Sequence, residues 1–175
     1  MNDETKNDDA EKAAALYQYA KDVYDEELKR YNRIDDKAFK LLSVLSIFIG
    51  LFGFILRWLA EEIIPPESLY AWIVLISSSG LLIASCVSWW LMFRVIEVSD
   101  LQKMPLDRGV FDFFKNDLHD IHQGFAETFE EANQTNRKLN DKKAKTLSFG
   151  YKGIFTTAIF FVIFIIAVCL YYWFK

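Results

Sequence analysis

The chain has 175 residues, 53% hydrophobic and 17% aromatic, with 7 Gly, 3 Pro and a net charge of −4. A soluble domain of this size cannot hide so much apolar surface, and the charge is confined to stretches between three nearly charge-free runs. A soluble single-core enzyme, a disordered chain and a collagen-like repeat are excluded, the acidic balance argues against a nucleic-acid binder, and an all-α integral membrane protein is predicted.

In chain order, residues 1–9 (MNDETKNDD) are polar and are expected to be a disordered N-terminus. Residues 10–40 read as a cytoplasmic helix. Tyr17, Ala20, Tyr24, Tyr31, Ile34, Ala38, Leu41 and Leu45 recur at 3/4 spacing, with Glu27 as the one polar interruption. Neither Gly nor Pro occurs from Ala10 to Ile49, so one helix of about 75 Å is expected to run from Ala10 to Ala60. Its apolar end, residues 41–60, is the first transmembrane span. A signal peptide is not expected there, because the run starts behind a long charged segment and no small-residue cleavage pattern follows. Residues 61–69 form a short outer turn, in which Pro65-Pro66 stops the helix and makes a tight hairpin. Residues 70–93 are the second span, and its helix is expected to continue through Leu101 until Met104-Pro105. A turn is expected at Asp107-Arg108-Gly109. Leu118, Ile121, Phe125, Phe129, Ala132 and Leu139 then resume helical spacing, unbroken until Gly150 and Gly153. Residues 94–153 are thus a cytoplasmic helical region and residues 154–174 the third span. Three or four long helices are expected to form a cytoplasmic bundle continuous with the spans.

Lys and Arg number 18 in residues 1–40 and 94–153 together, against 2 in the rest of the chain. This bias places the N-terminus and middle region in the cytoplasm and the C-terminus outside, as in a multi-pass membrane protein. Trp58, Tyr70, Trp72, Tyr171, Tyr172 and Trp173 fall at the outer interface, and Trp89, Trp90, Phe93, Phe149 and Tyr151 at the inner one. Cys86 and Cys169 lie inside apolar runs and are expected to be buried thiols rather than a disulfide.

Catalytic motifs are missing: no Gly-rich phosphate loop, G-x-S-x-G or H-E-x-x-H occurs, and neither an enzyme nor a cofactor is expected. His119 and His122, beside Asp117 and Asp120, read as a solvated helix face rather than a metal site. Two other patterns carry more. In span one, Ser43, Ser46, Gly50, Gly53 and Arg57 share one face; small residues there pack helices closely or line a narrow pore. In span two, Gly80, Ala84 and Ser88 form a second small stripe, with Ser78 and Ser85 beside it, whereas span three beyond Thr157 looks lipid-facing. The segment Arg33–Ser43 before span one is echoed by Lys138–Ser148 before span three, with Asp36/Lys40 and Asp141/Lys145 as i,i+4 pairs. Arg30, Arg33, Lys37, Arg137, Lys138, Lys142, Lys143 and Lys145 gather near these junctions. Topology and anionic lipid account for most of them. A clamp for an anionic ligand between the two copies is the sharper reading, with Arg30, Arg33, Lys37, Arg137, Lys138, Lys142 and Lys145 as its candidates.

Arg33 and Asp36-Lys37-Ala38 directly before span one, the hairpin of spans one and two, and the long cytoplasmic helix leading into a later span together give the chain a likeness. It resembles the small helical membrane effectors of bacterial anti-phage nucleotide-signalling systems: SLATT-like domains, the transmembrane effectors of Pycsar systems, and the membrane effector of the Hailong system. The resemblance implies a multi-subunit channel held shut by default. A nucleotide or oligonucleotide messenger from a partner nucleotidyltransferase would open it and depolarise the membrane. The expected partners are therefore further copies of the chain, a tetramer being the expected assembly, with the lipid bilayer and that messenger. The alternative is a non-conducting, membrane-anchored scaffold or sensor whose cytoplasmic helices dock a soluble partner.

Overall fold

A computed structural model describes residues 3–97, 101–104, 108–114 and 116–174, without the side chains of residues 3–8, 109 and 111. Four helices make up the described chain: α1 (Asp3–Ile63), α2 (Leu69–Ile96), α3 (Arg108–Phe113) and α4 (Leu118–Trp173). The protein is all-α, and α1, α2 and α4 are each long and apolar enough to cross a membrane.

Helix boundaries follow local chemistry. No Gly or Pro lies between Asp3 and Ile49, and α1 starts at Asp3, inside the segment expected to be disordered. It ends at Ile63 because Ile64 precedes Pro65, and a residue before proline is pushed out of the helical region. Ser68 then starts α2: its backbone is extended and its hydroxyl accepts from the Ala71 N–H at 3.2 Å. Helix α2 stops at Ile96, short of the expected Leu101, with the Glu97 N–H closing the last turn on the Phe93 carbonyl. Leu101 to Met104 are not helical. Pro105 and Asp107, expected to end the helix and begin a turn, lie outside the described residues, and Arg108 begins α3 rather than a turn.

The chain divides into two compact units. The first comprises Met1–Arg33 and Val98–Lys142. Among the described residues it contains two long helical segments and the six-residue α3, where three or four long helices were expected. Ala20 and Tyr24 of α1 pack on Ala126, Phe129 and Ala132 of α4, with Tyr17, Leu28 and Met104 around them. Tyr24 and Phe129 lie 5.3 Å apart between ring centres. The expected apolar row of α1 is therefore a buried seam.

The second unit comprises Ile34–Glu97 and Lys143–Lys175. Within it α1 and α4 run parallel, as the ring pairs Phe48–Phe161 and Phe52–Phe164 show, and α2 runs antiparallel. One cluster joins Phe52, Leu59, Ile63, Ala71, Val74, Leu81, Phe164, Ala167 and Tyr171, and a second joins Ile34, Ala38, Leu45, Met92, Val95 and Leu147. Span two is the best enclosed. Span three is not wholly lipid-facing: Thr157, Phe164, Ala167 and Tyr171 form a buried row, and only its other faces are exposed. Large apolar side chains such as Ile47, Phe54, Ile76, Ile83 and Phe155 stand 63–75% exposed, a surface that water would not tolerate and hydrocarbon would. Cys86 and Cys169 are free thiols on that exposed surface, not buried ones.

Candidate functional site

The two small-residue stripes have different fates. The span-two stripe is a packing seam. A Cβ on Gly80 would lie 2.7 Å from the Phe160 ring, and one on Gly153 would lie 2.6 Å from Ser88 Oγ. Gly150 likewise faces the Met92 methyl group. These glycines let α2 and α4 approach closely, and α4 passes through Gly150 and Gly153 without a break. Ser78, Ser85 and Ser88 donate to the carbonyls of Leu75, Leu81 and Ala84 in their own helix, and Ser88 also meets Thr157 at 3.3 Å.

The span-one stripe is left uncovered. Ser43, Ser46, Gly50, Gly53 and Arg57 are all exposed, and a Cβ on Gly50 or Gly53 would meet nothing within 4 Å. Ser43 and Ser46 donate to the Phe39 and Leu42 carbonyls at 2.9 Å. Ser46 Oγ also accepts from Trp89 Nε1 at 2.9 Å, so the inner edge of the stripe borders α2. Beyond that edge, among the described residues, nothing packs against Gly50 or Gly53.

The basic candidates divide similarly. Arg30 donates to Asp141 at 2.7 Å and lies 3.5 Å from Glu27. The hydrogen bond to Asp141 raises the Arg30 pKa above its ordinary value, against a smaller opposing effect of burial. Both side chains are well exposed, so the pair contributes about 0–1 kcal/mol. Arg33, Lys37, Arg137, Lys138, Lys142 and Lys145 are exposed. A cavity of about 410 Å³ in the first unit includes Arg137 alone of the seven candidates, beside Glu27, Glu127 and Glu130. Lys143 differs from its neighbours: it is only 5% exposed, and its ammonium donates to both oxygens of Asp35 at 2.8 and 3.1 Å. Removing one partner of such a pair strands the other charge.

A row of polar residues that sequence reasoning missed joins the apolar cluster in the α1–α4 contact of the first unit. Asn133, Asn136 and Asn140 follow 3/4 spacing from Phe129, where the expected stripe instead passed through Leu139. Asn133 Nδ2 donates to the Ala20 carbonyl at 3.2 Å, and Asn140 Nδ2 to the Glu27 carbonyl at 2.9 Å and its carboxylate at 2.8 Å. Both the donors and the acceptors are seven residues apart, so a slip of either helix would strand the amides; the row fixes the register. Fully buried Asn136 holds both backbone groups of Gln102: its Oδ1 accepts from the Gln102 N–H at 2.9 Å and its Nδ2 donates to the carbonyl at 3.1 Å. Tyr24 donates to the same carbonyl at 3.2 Å. The signal was the continuing heptad interval, obscured because the residues on it are polar.

His122 is not on a solvated face; it stacks on Tyr17 with ring centres 5.5 Å apart. His119 Nδ1 lies 3.3 Å from the Asp9 carbonyl. Among the described residues no group of three His, Cys, Asp or Glu is placed to hold a metal ion.

No protein-family model, curated protein or solved structure matches the chain. The class of protein defined by fold and site is thus an all-α membrane protein with three potential spans.

Proposed function

We propose that the chain is a homo-oligomeric membrane channel whose conduit is lined by the span-one face of each copy. One observation carries this reading: Ser43, Ser46, Gly50, Gly53 and Arg57 form a small, exposed, partly polar face on which a Cβ at Gly50 or Gly53 would meet no described residue within 4 Å, whereas the comparable face of span two is filled by span three. A face that combines exposed glycine, hydroxyls and an arginine is poorly matched to hydrocarbon and well matched to neighbouring copies or water. The exposed Arg33, Lys37, Arg137, Lys138, Lys142 and Lys145 are the groups that would meet an anionic ligand on the cytoplasmic side. Such a ligand opens the channel only by binding the open arrangement more tightly than the closed one. In line with the resemblance to anti-phage effectors, the ligand is a nucleotide-type messenger, and opening depolarises the bacterial inner membrane. On this reading the chain conducts and does not catalyse.

Native mass measurement of the detergent-solubilised chain at micromolar concentration tests the assembly. An oligomer, with a tetramer expected, supports the proposal, and a monomer overturns it. A non-conducting scaffold is the second reading. The observation favouring it is the 410 Å³ cavity of the first unit, whose exposed Leu16 and Tyr19 and acidic Glu127 and Glu130 offer a surface for a soluble partner.

A further inference from the structure

At one end of the second unit, α1 ends at Ile63, α2 begins at Leu69 and α4 ends at Trp173. Between them lies a cavity of about 490 Å³ lined by Glu62, Glu67, Ser68, Tyr70, Tyr171 and Phe174, among others. The volume falls within the range of about 300–1,000 Å³ usual for small-ligand sites. Tyr70, Tyr171 and Phe174 give its wall an aromatic side. Tyr70 and Phe174 stack with ring centres 5.0 Å apart and planes 6° apart, and Tyr171 is buried beside Ala71 in the same cluster. Its charge is negative. Glu62 and Glu67 stand on either side of Pro65-Pro66, and no described lining residue is basic.

The acidic group is also held in place. Tyr172 donates to Glu62 Oε2 at 2.5 Å, and Tyr171 donates to the Glu62 backbone carbonyl at 3.4 Å. The helix ends add to the sign. Those of α1 and α4 are C-termini, which favour a cation, against the single N-terminus of α2, already capped by Ser68.

We propose that this cavity binds an organic ammonium group. Aromatic faces attract ammonium through their quadrupole, and a fixed carboxylate adds a charge-assisted contact. A bare metal ion needs a denser set of oxygens than two carboxylates and several rings supply. The cavity lies at the ends of three apolar segments, within reach of the amine headgroups of zwitterionic lipids and of soluble amines alike. Both sources present the same chemistry. This inference is independent of whether the chain conducts.

The test uses the full chain in detergent micelles. Native mass spectrometry compares bound phosphatidylethanolamine with phosphatidylglycerol, and equilibrium dialysis measures binding of labelled ethanolamine. The same measurements are made on Glu62→Gln and on Tyr70→Leu, with circular dichroism and native mass showing that each variant keeps its helices and its assembly. Glu67→Gln, which lies in the turn and leaves the helices untouched, is the second acidic variant. Preference for phosphatidylethanolamine that falls about fivefold in the variants identifies a lipid headgroup as the source. Saturable ethanolamine binding with the same loss identifies a soluble amine, and either result supports the proposal. Equal retention of the two lipids together with no variant-sensitive ethanolamine binding overturns it.

Discussion

Replacing Asn136 by Leu removes one side chain that holds both backbone groups of Gln102 at 2.9 and 3.1 Å. The Gln102 carbonyl keeps the Tyr24 hydroxyl at 3.2 Å, but the amide loses its acceptor at a site where Asn136 is fully buried. A neutral hydrogen bond contributes about 1 kcal/mol and a buried orphaned donor costs about 1–3 kcal/mol, so the attachment of Gln102 weakens by about 2–4 kcal/mol. The natural assay is hydrogen exchange at the Gln102 amide in the full chain. Exchange should accelerate by at least about 30-fold, while amides around Phe129 within α4 keep their rates. Tyr24→Phe removes only one bond to the carbonyl and leaves the amide held, so it should accelerate exchange by only about fivefold. An Asn136→Leu protein in which Gln102 exchanges within about threefold of the parent would refute the reasoning, because the amide bond would then not govern that opening.

Gly153→Leu places a side chain where even a Cβ would lie 2.6 Å from Ser88 Oγ, so thermal unfolding in detergent should come several degrees earlier, a loss of about 2 kcal/mol or more. A Cβ on Gly50 would meet nothing within 4 Å, so Gly50→Leu should not lower the stability of a dissociated chain and should raise it by up to about 1 kcal/mol through helix propensity. Arg30 has a raised folded-state pKa because Asp141 accepts from it, so across neutral pH, well below the ordinary arginine value, its contribution is complete, and on the alkaline side it is lost as pH climbs through the raised value. Arg30→Gln should therefore lower stability by no more than about 1 kcal/mol, equally at pH 6 and pH 9 and less in high salt; a loss confined to one of those pH values would contradict the assignment. Lys142→Glu with Lys145→Glu should leave the oligomer intact and abolish the conductance response to an anionic nucleotide; an unchanged response at the same nucleotide concentration would reduce these lysines to a topological role.

The spans were legible because length and charge depletion alone define them, and the Pro65-Pro66 hairpin because proline admits few alternatives. The α1 row through Ala20, Tyr24, Ile34, Ala38 and Leu45 was legible for the same reason: apolar periodicity marks a buried face, and these five residues are buried. The α4 row was misread where it turned polar. Asn136, Asn140 and Lys143 are at most 5% exposed, and hydropathy counts all three as surface. What makes their burial tolerable is a set of partners on residues more than thirty positions away, which no local pattern displays. The two small stripes looked alike in sequence because composition does not say which neighbour comes to fill a groove. Phe160 fills the one at Gly80, and no described residue comes within 4 Å of a Cβ at Gly50. The end of α2 at Ile96 was missed because Val98 and Leu101 extend the apolar pattern while departing from the helix pattern in no visible way.

The central claim is that span one lines a conduit between copies. Ion flux through proteoliposomes, measured in parallel for the unaltered chain and for Gly53→Leu preparations of verified oligomeric mass, tests it most directly. The account predicts that the unaltered oligomer conducts and that Gly53→Leu keeps its mass but loses flux, since Leu would narrow the conduit without moving a charge. An unaltered oligomer that passes no ions with or without an anionic nucleotide, or a Gly53→Leu chain that dissociates, would contradict the account and make the face a packing seam.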